Sequence, residues 1–166
     1  NIKKILAICW GMQVAVKAAG GEVKKGVKGS HIGIANDIEL TDQGLNSSFY
    51  KDKNNKFNSP AFNFDEVVTV PRDSIHLASN KINNIQGLYF KTGVSEVWGI
   101  QYHPEITYQK MIQIIEFRKE ALIEKRKRFK NLDQIDSHIN LIDEEIKVSE
   151  KNSRMIELRN WLNIIN

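Results

Sequence analysis

The 166-residue sequence predicts an α/β protein in which a strand-rich body is followed by a helical tail. Three observations carry this expectation. Short β-type runs separated by turn residues fill the chain as far as Thr107, and beyond it apolar residues recur at helical spacing. The chain also begins with an apolar run, one cysteine and a stretch of good helix formers, the pattern of a strand feeding directly into a helix.

Taken in order, residues 5–8 form the first strand and residues 10–19 the helix after Cys9, closed by Gly20 and Gly21. Further β-type runs lie at 31–40, 64–70, 75–78, 86–90 and 97–101. Residues 42–61 hold Gly44, Asn46, Ser47, Asn54, Asn55, Asn58, Ser59 and Pro60, which is loop chemistry, so an excursion between two strands is expected there. In the tail, Met111, Ile114, Ile115 and Leu122 mark one helix, and Ile135, Ile139, Leu141, Ile142 and Ile146 mark a second. A third is expected from Arg154 to Ile165 with Ser153 as its N-cap. The resulting division is a body over residues 1–117 and a helical extension over 118–166.

The composition, 41% apolar and 27% charged, fits a globular chain with no apolar run long enough to span a membrane. A single cysteine excludes an intrachain disulfide framework and any zinc site built on paired cysteines. His31, His76 and His138 are far apart, and no ligand spacing suggests a metal or another cofactor. No targeting signal is visible, so the cytoplasm is the default compartment. Residues 118–130 carry a surplus of five positive charges against a net +4 for the whole chain. Such a run reads as a solvated helix face with Glu120 and Glu124 available for pairing. Nucleic acid is disfavoured as a partner, because stacking aromatics are lacking there apart from Phe129. Trp98 and Trp161 read as core or docking residues.

Two short motifs carry chemistry. Cys9 stands where the first strand meets the first helix, where the helix dipole favours a thiolate over a thiol. Ala7 and Gly11, two places on either side, suit the sharp turn of a nucleophile elbow. A small buried core residue is the other reading of a lone cysteine. The second motif is His103-Pro104-Glu105. In an extended chain residues i and i+2 share a side, so His103 and Glu105 face one another across Pro104, which disfavours helix at His103. Glu105 then orients the imidazole while the other ring nitrogen takes a proton from Cys9. An ordinary His-Pro turn is the alternative.

Ile8-Cys9-Trp10-Gly11-Met12-Gln13 and Gly99-Ile100-Gln101-Tyr102-His103-Pro104-Glu105 resemble the nucleophile and His-Glu motifs of the class I (triad) glutamine amidotransferases. The likeness runs in order from residue 4 to residue 117, through Glu39-Leu40-Thr41, Asp65-Glu66-Val67 and Leu77-Ala78-Ser79. The sequence is most similar to the stand-alone branch related to the amidotransferase domain of GMP synthase, whose helical C-terminal extension ends much like Glu157-Leu158-Arg159-Asn160-Trp161. The resemblance implies a three-layer, flavodoxin-like fold with a mostly parallel central sheet. It implies hydrolysis of the glutamine side-chain amide to glutamate and ammonia through a cysteinyl thioester. Cys9 is then the nucleophile, His103 the general base and later acid, and Glu105 the orienting carboxylate. The backbone N–H of Trp10 supplies one oxyanion donor, and Gln13 lies near the amino-acid end of the substrate. No cofactor or metal is implied. The implied partner is a synthase that accepts the ammonia, with a homo-oligomer as the other assembly.

Three departures accompany the likeness. Only eight residues precede Cys9, whereas the family's sheet and second oxyanion donor begin well upstream. The expectation is therefore a domain lacking its N-terminal strands, with little glutaminase activity by itself. Ala7 stands where the family usually has glycine, and Asn63 where relatives often have histidine. Two other readings stay open: a γ-glutamyl hydrolase of the same superfamily, and a catalytically inactive interaction module working through its tail.

Overall fold

The computed structural model describes residues 3–166. Strand β1 (Lys3–Ile8) runs through Cys9 into helix α1 (Trp10–Ala18). β2 (Glu22–Lys25) and β5 (Asp65–Thr69) form a separate antiparallel ribbon. The remaining strands, β3 (His31–Leu40), β4 (Lys56–Asn63), β6 (Ile75–Ser79), β7 (Gly87–Thr92) and β8 (Ser95–Ile100), join β1 in one sheet ordered β1-β8-β7-β6-β3-β4.

Strand alternation divides the core between the two faces of this sheet. Ala7, Leu88, Phe90 and Val97 pack with Met12 and Val16 of α1 and Val67 of the ribbon. Their neighbours Leu6, Ile8, Tyr89, Trp98 and Ile100 pack on the other side with Phe49, Tyr50 and Tyr102, under Trp161 and Ile164 of the C-terminal helix. The layered α/β class is thus the one expected. Helix α1 lies so close to β8 that a Cβ on Gly99 would sit 2.6 Å from Met12 Cγ. Gly11, in contrast, has open space around it, so the tight approach expected beside Cys9 falls on Gly99 across the sheet.

Strand direction departs from expectation. Only β1 and β8 run parallel, and the other four pairings of the described sheet are antiparallel, so it is not mostly parallel. Connection length explains this. Only Gly93 and Val94 lie between β7 and β8, and so short a link permits only a hairpin, whereas a parallel pair needs a long crossover. Here the crossover is all the chain between β1 and β8.

Residues 56–61, expected in a loop, belong to β4, and the ribbon strand β2 had no clear pattern in the sequence. β4 lies at the edge of the sheet, the place where a strand tolerates a residue such as Pro60 that has no N–H to give. The rest of that excursion forms helix α2 (Asp42–Leu45), capped by Thr41 Oγ1, and a 3-10 turn at Ser48–Tyr50.

The tail holds α3 (Tyr108–Glu124), α4 (Leu132–Val148), α5 (Lys151–Arg154) and α6 (Ile156–Ile165). α3 and α4 pack against β3 through Ile115, Leu122, Ile135 and Ile142 on Ile32 and Ile34. The single helix expected from Arg154 is two, broken at Met155, and Ser153 lies inside α5 without capping α6. The break falls between Arg154 and Glu157, each of which reaches the body separately. The basic run is only partly a solvated face. Arg118 lies over the Phe62 ring at 5.5 Å and Arg126 over Phe64 at 4.5 Å, while Lys119 pairs with Glu116. Among the described residues no helix is long and apolar enough to cross a membrane.

A buried polar cluster fastens α6 to the body. Glu157 and Lys53, with side chains 0% and 2% exposed, form an ion pair at 3.1 Å. Lys53 Nζ also donates to Ser153 C=O at 2.9 Å and lies over the Phe57 ring. The Tyr102 hydroxyl donates to Glu157 Oε1 at 2.7 Å and shares a hydrogen bond with the Tyr50 hydroxyl at 2.9 Å. Burial pushes the Lys53 ammonium toward its neutral form, and Glu157 opposes that by charge and hydrogen bonding. Glu157→Ala leaves the ammonium and the hydroxyl without this partner. It should cost about 3–5 kcal/mol in urea unfolding, with Glu157→Gln costing less because one hydrogen-bonding amide remains.

Candidate active site

The site begins with a strained residue. Cys9 links β1 to α1 with φ 52° and ψ −110°, a conformation rare for any side chain but glycine. Its N–H donates to the Ile100 carbonyl at 2.7 Å, which ties the elbow to the end of β8. The residue is 9% exposed. Gln101 Nε2 donates to the sulfur at 3.3 Å, and the Phe62 carbonyl oxygen is 3.9 Å from Sγ.

Beyond β8 the chain turns sharply. The Ile106 N–H donates to the His103 carbonyl at 3.2 Å, closing a four-residue turn with Pro104 in its second position. Proline presets φ for that position. His103 and Glu105 therefore meet through a turn and not along the extended segment expected, with Nδ1 and Oε1 2.6 Å apart. The His103 N–H donates to the Pro60 carbonyl of β4 at 2.7 Å, so the edge strand holds the turn from outside. Burial disfavours a charge on the imidazole, but hydrogen bonds with Cys9 and Glu105 and the charge of both outweigh it and raise the His103 pKa to about 9. The fold thus brings Cys9, His103 and Glu105 together.

The two remaining residues singled out in the sequence lie apart in character. Trp10 opens α1 beside the elbow and is 74% exposed. Gln13 is buried, and its Nε2 donates to the Asp65 carbonyl at 2.9 Å and to Gln101 Oε1 at 3.1 Å. Asn63 occupies the centre of the adjoining wall. Its Nδ2 donates to the Asp65 carbonyl and to Asn83 Oδ1, while its Oδ1 accepts from His31 Nδ1 at 3.0 Å. Asn80 Nδ2 donates to the other His31 nitrogen at 2.9 Å, which leaves a neutral imidazole as the form that satisfies both bonds. Burial likewise lowers the His31 pKa.

Gln101 and Arg154 were not found by sequence reasoning. Gln101 carried a usable signal, because it stands two residues before His103 at the same strand end. Arg154 donates to the Pro104 and Ile106 carbonyls of the turn from nearly fifty residues away, and nothing local marks it.

The chain that carries this site has counterparts among known proteins. Residues 1–120 match the family model described as glutamine amidotransferase class-I. The chain belongs to this family. Among the relatives of this chain is the gamma-glutamyl-L-1-hydroxyisopropylamide hydrolase of a Pseudomonas species, 28% identical over 95% of this chain and 59% of the relative. Another is a glutamine-hydrolysing GMP synthase subunit of Methanosarcina acetivorans, 33% identical over 64% of this chain and 52% of the relative. The fold matches that of a crystallised glutamine amidotransferase from Thermotoga maritima with a TM-score of 0.67 at 22% identity, over 95% of this chain and 60% of that one. The chain thus spans between half and three fifths of the length of these proteins.

The His103 shift has a definite consequence for stability. The folded-state pKa of about 9 lies above the ordinary 6.5, so the stabilisation from the charged imidazole is complete below about pH 6.5 and lost as pH rises through about 9. Urea unfolding of the native chain and of His103→Gln should differ in favour of the native chain at pH 6 and converge by pH 10. An equal difference at both values would contradict the assignment.

Proposed function

We propose that Cys9, His103 and Glu105 hydrolyse the side-chain amide of glutamine through a cysteinyl thioester. The observation that carries this reading is the strained Cys9 elbow beside an imidazole that interacts with both the thiol and a carboxylate, its Nδ1 2.6 Å from Glu105 Oε1. Glu105 on Nδ1 leaves Nε2 for the sulfur and the leaving group. Cys9 Sγ attacks the amide carbon, and the oxyanion that forms is held by the backbone N–H of Trp10. His103 gives its proton to the departing nitrogen, and ammonia leaves. Water then attacks the thioester, His103 taking its proton, and glutamate and the free thiol result. Gln101, donating to the sulfur at 3.3 Å, helps hold it in place at the end of β8.

Kinship with the Methanosarcina GMP synthase subunit supports delivery of the ammonia to a synthase partner. In this reading residues 1–117 carry the chemistry and 118–166 form the supporting extension. A second reading has its own support: the Pseudomonas hydrolase aligns with 95% of the chain, and so into the tail. On that reading the substrate is a γ-glutamyl amide of a small amine, and the same steps release the amine.

An electrophilic glutamine analogue should label Cys9 selectively, and mass spectrometry of the intact chain should show one adduct that is absent from Cys9→Ala. His103→Ala should slow labelling by about 10²–10⁴ and Glu105→Ala by less, since water replaces an orienting group better than a base. Labelling no faster than that of an unfolded peptide of the same sequence would refute the proposal. Competition by glutamine against a γ-glutamyl alkylamide then separates the two substrate readings.

A further inference from the structure

We infer that Arg154 is a positioning residue for His103, its guanidinium reaching from the C-terminal segment to hold the turn that presents the imidazole to Cys9. The inference rests on the catalytic reading above. Arg154 Nη1 donates to the carbonyls of Pro104 and of Ile106, the latter at 2.9 Å. His103 and Glu105 are the first and third residues of that turn, and Pro104 and Ile106 the second and fourth. The guanidinium therefore fixes the backbone immediately after His103 and on both sides of Glu105. Among the described residues these two carbonyls take all of its side-chain hydrogen bonds.

The tail grips the same stretch from its other end. Glu157 accepts from Tyr102, the residue before His103, so Arg154 and Glu157 bracket the imidazole. Without them the backbone of the turn is held by its own closing bond of 3.2 Å and by one bond to the edge strand β4, beside the His103–Glu105 side-chain bond. Both tail residues lie outside the family-matched residues 1–120, which makes this support a feature of this chain's extension.

Charge and position leave opposite signatures. The groups that favour imidazolium at His103 are Cys9 and Glu105, while the Arg154 guanidinium lies behind the turn on the Pro104 and Ile106 carbonyls. If Arg154 acted only as a nearby cation, its removal would raise the His103 pKa. If it acts by position, removal lets the ring drift from Glu105 and Cys9 and lowers the pKa.

The test uses the whole chain with Arg154→Met, which keeps the apolar stem, and Arg154→Lys, which restores a donor. NMR titration of His103 should show its midpoint lowered by about one unit or more in the methionine variant. Alkylation of Cys9 by iodoacetamide at pH 7 should slow about tenfold alongside. The lysine variant should recover most of both. Ile142→Ala, which weakens the α4 packing, serves as the control for general destabilisation and should leave the midpoint in place. A midpoint unmoved or raised in Arg154→Met overturns the inference. If that variant does not fold, native-state hydrogen exchange decides. The Ile106 amide should open together with the Met155 amide of the tail, and opening of Ile106 while Met155 stays protected overturns the inference. Equal labelling rates for His103→Ala and the native chain would instead sink the catalytic reading, independently of the Arg154 result.

Discussion

The parallel pairing of β1 with β8 is the constraint on which the site depends. Parallel strands leave a sheet at the same end, and here one exits into Cys9 and the other into Gln101 and His103. The register sets Ile8 beside Ile100, and the Cys9 N–H takes the Ile100 carbonyl, so Cys9 and Gln101, 92 positions apart in sequence, meet at hydrogen-bond distance. Reversing β1 would move the cysteine to the far end of a six-residue strand, about 20 Å away. This is the general preference of α/β sheets for placing chemistry at the carboxyl ends of parallel strands. It is met here by one parallel pair in a sheet otherwise built from hairpins.

What was legible in the sequence was what chemistry and periodicity require of residue type. An apolar run, a cysteine and helix formers fit an elbow, because a strand feeding directly into a helix puts the cysteine at their junction. His103 and Glu105 were legible because their two-residue spacing permits contact in a strand and in a turn alike. The turn itself was not, since the choice depends on the Ile106 N–H finding the His103 carbonyl and on Pro60 waiting across the gap. β4 was hidden by Pro60, Asn58 and Ser59, residues that signal a loop until an edge position removes the penalty. Arg154 was hidden for a different reason. Its partners are backbone carbonyls, which carry no side-chain signature, and they lie far away in sequence.

The tail shows how polar burial can define a position that apolar contact alone leaves loose. Trp161 and Ile164 supply area against the core, yet apolar surfaces tolerate sliding. The Lys53–Glu157 pair does not. Desolvation offsets much of its attraction, so its net contribution to stability is small, but any shift of α6 by one turn would strand two buried charges. α6 has one docking position as a result, and through Tyr102 that position is passed to the residue next to His103.

The backbone of Cys9 carries one more consequence. A side chain held at φ 52° and ψ −110° costs on the order of 1–3 kcal/mol, and glycine would occupy the same elbow almost without strain. At this position, selection for thermal robustness and selection for chemistry pull in opposite directions. On the proposed reading of Cys9 as the nucleophile, a library of variants ranked by melting temperature alone would favour replacing it early, enriching proteins that fold well and lack the proposed chemistry. Engineering of this chain for durability therefore has to hold residue 9 constant and seek its gains elsewhere.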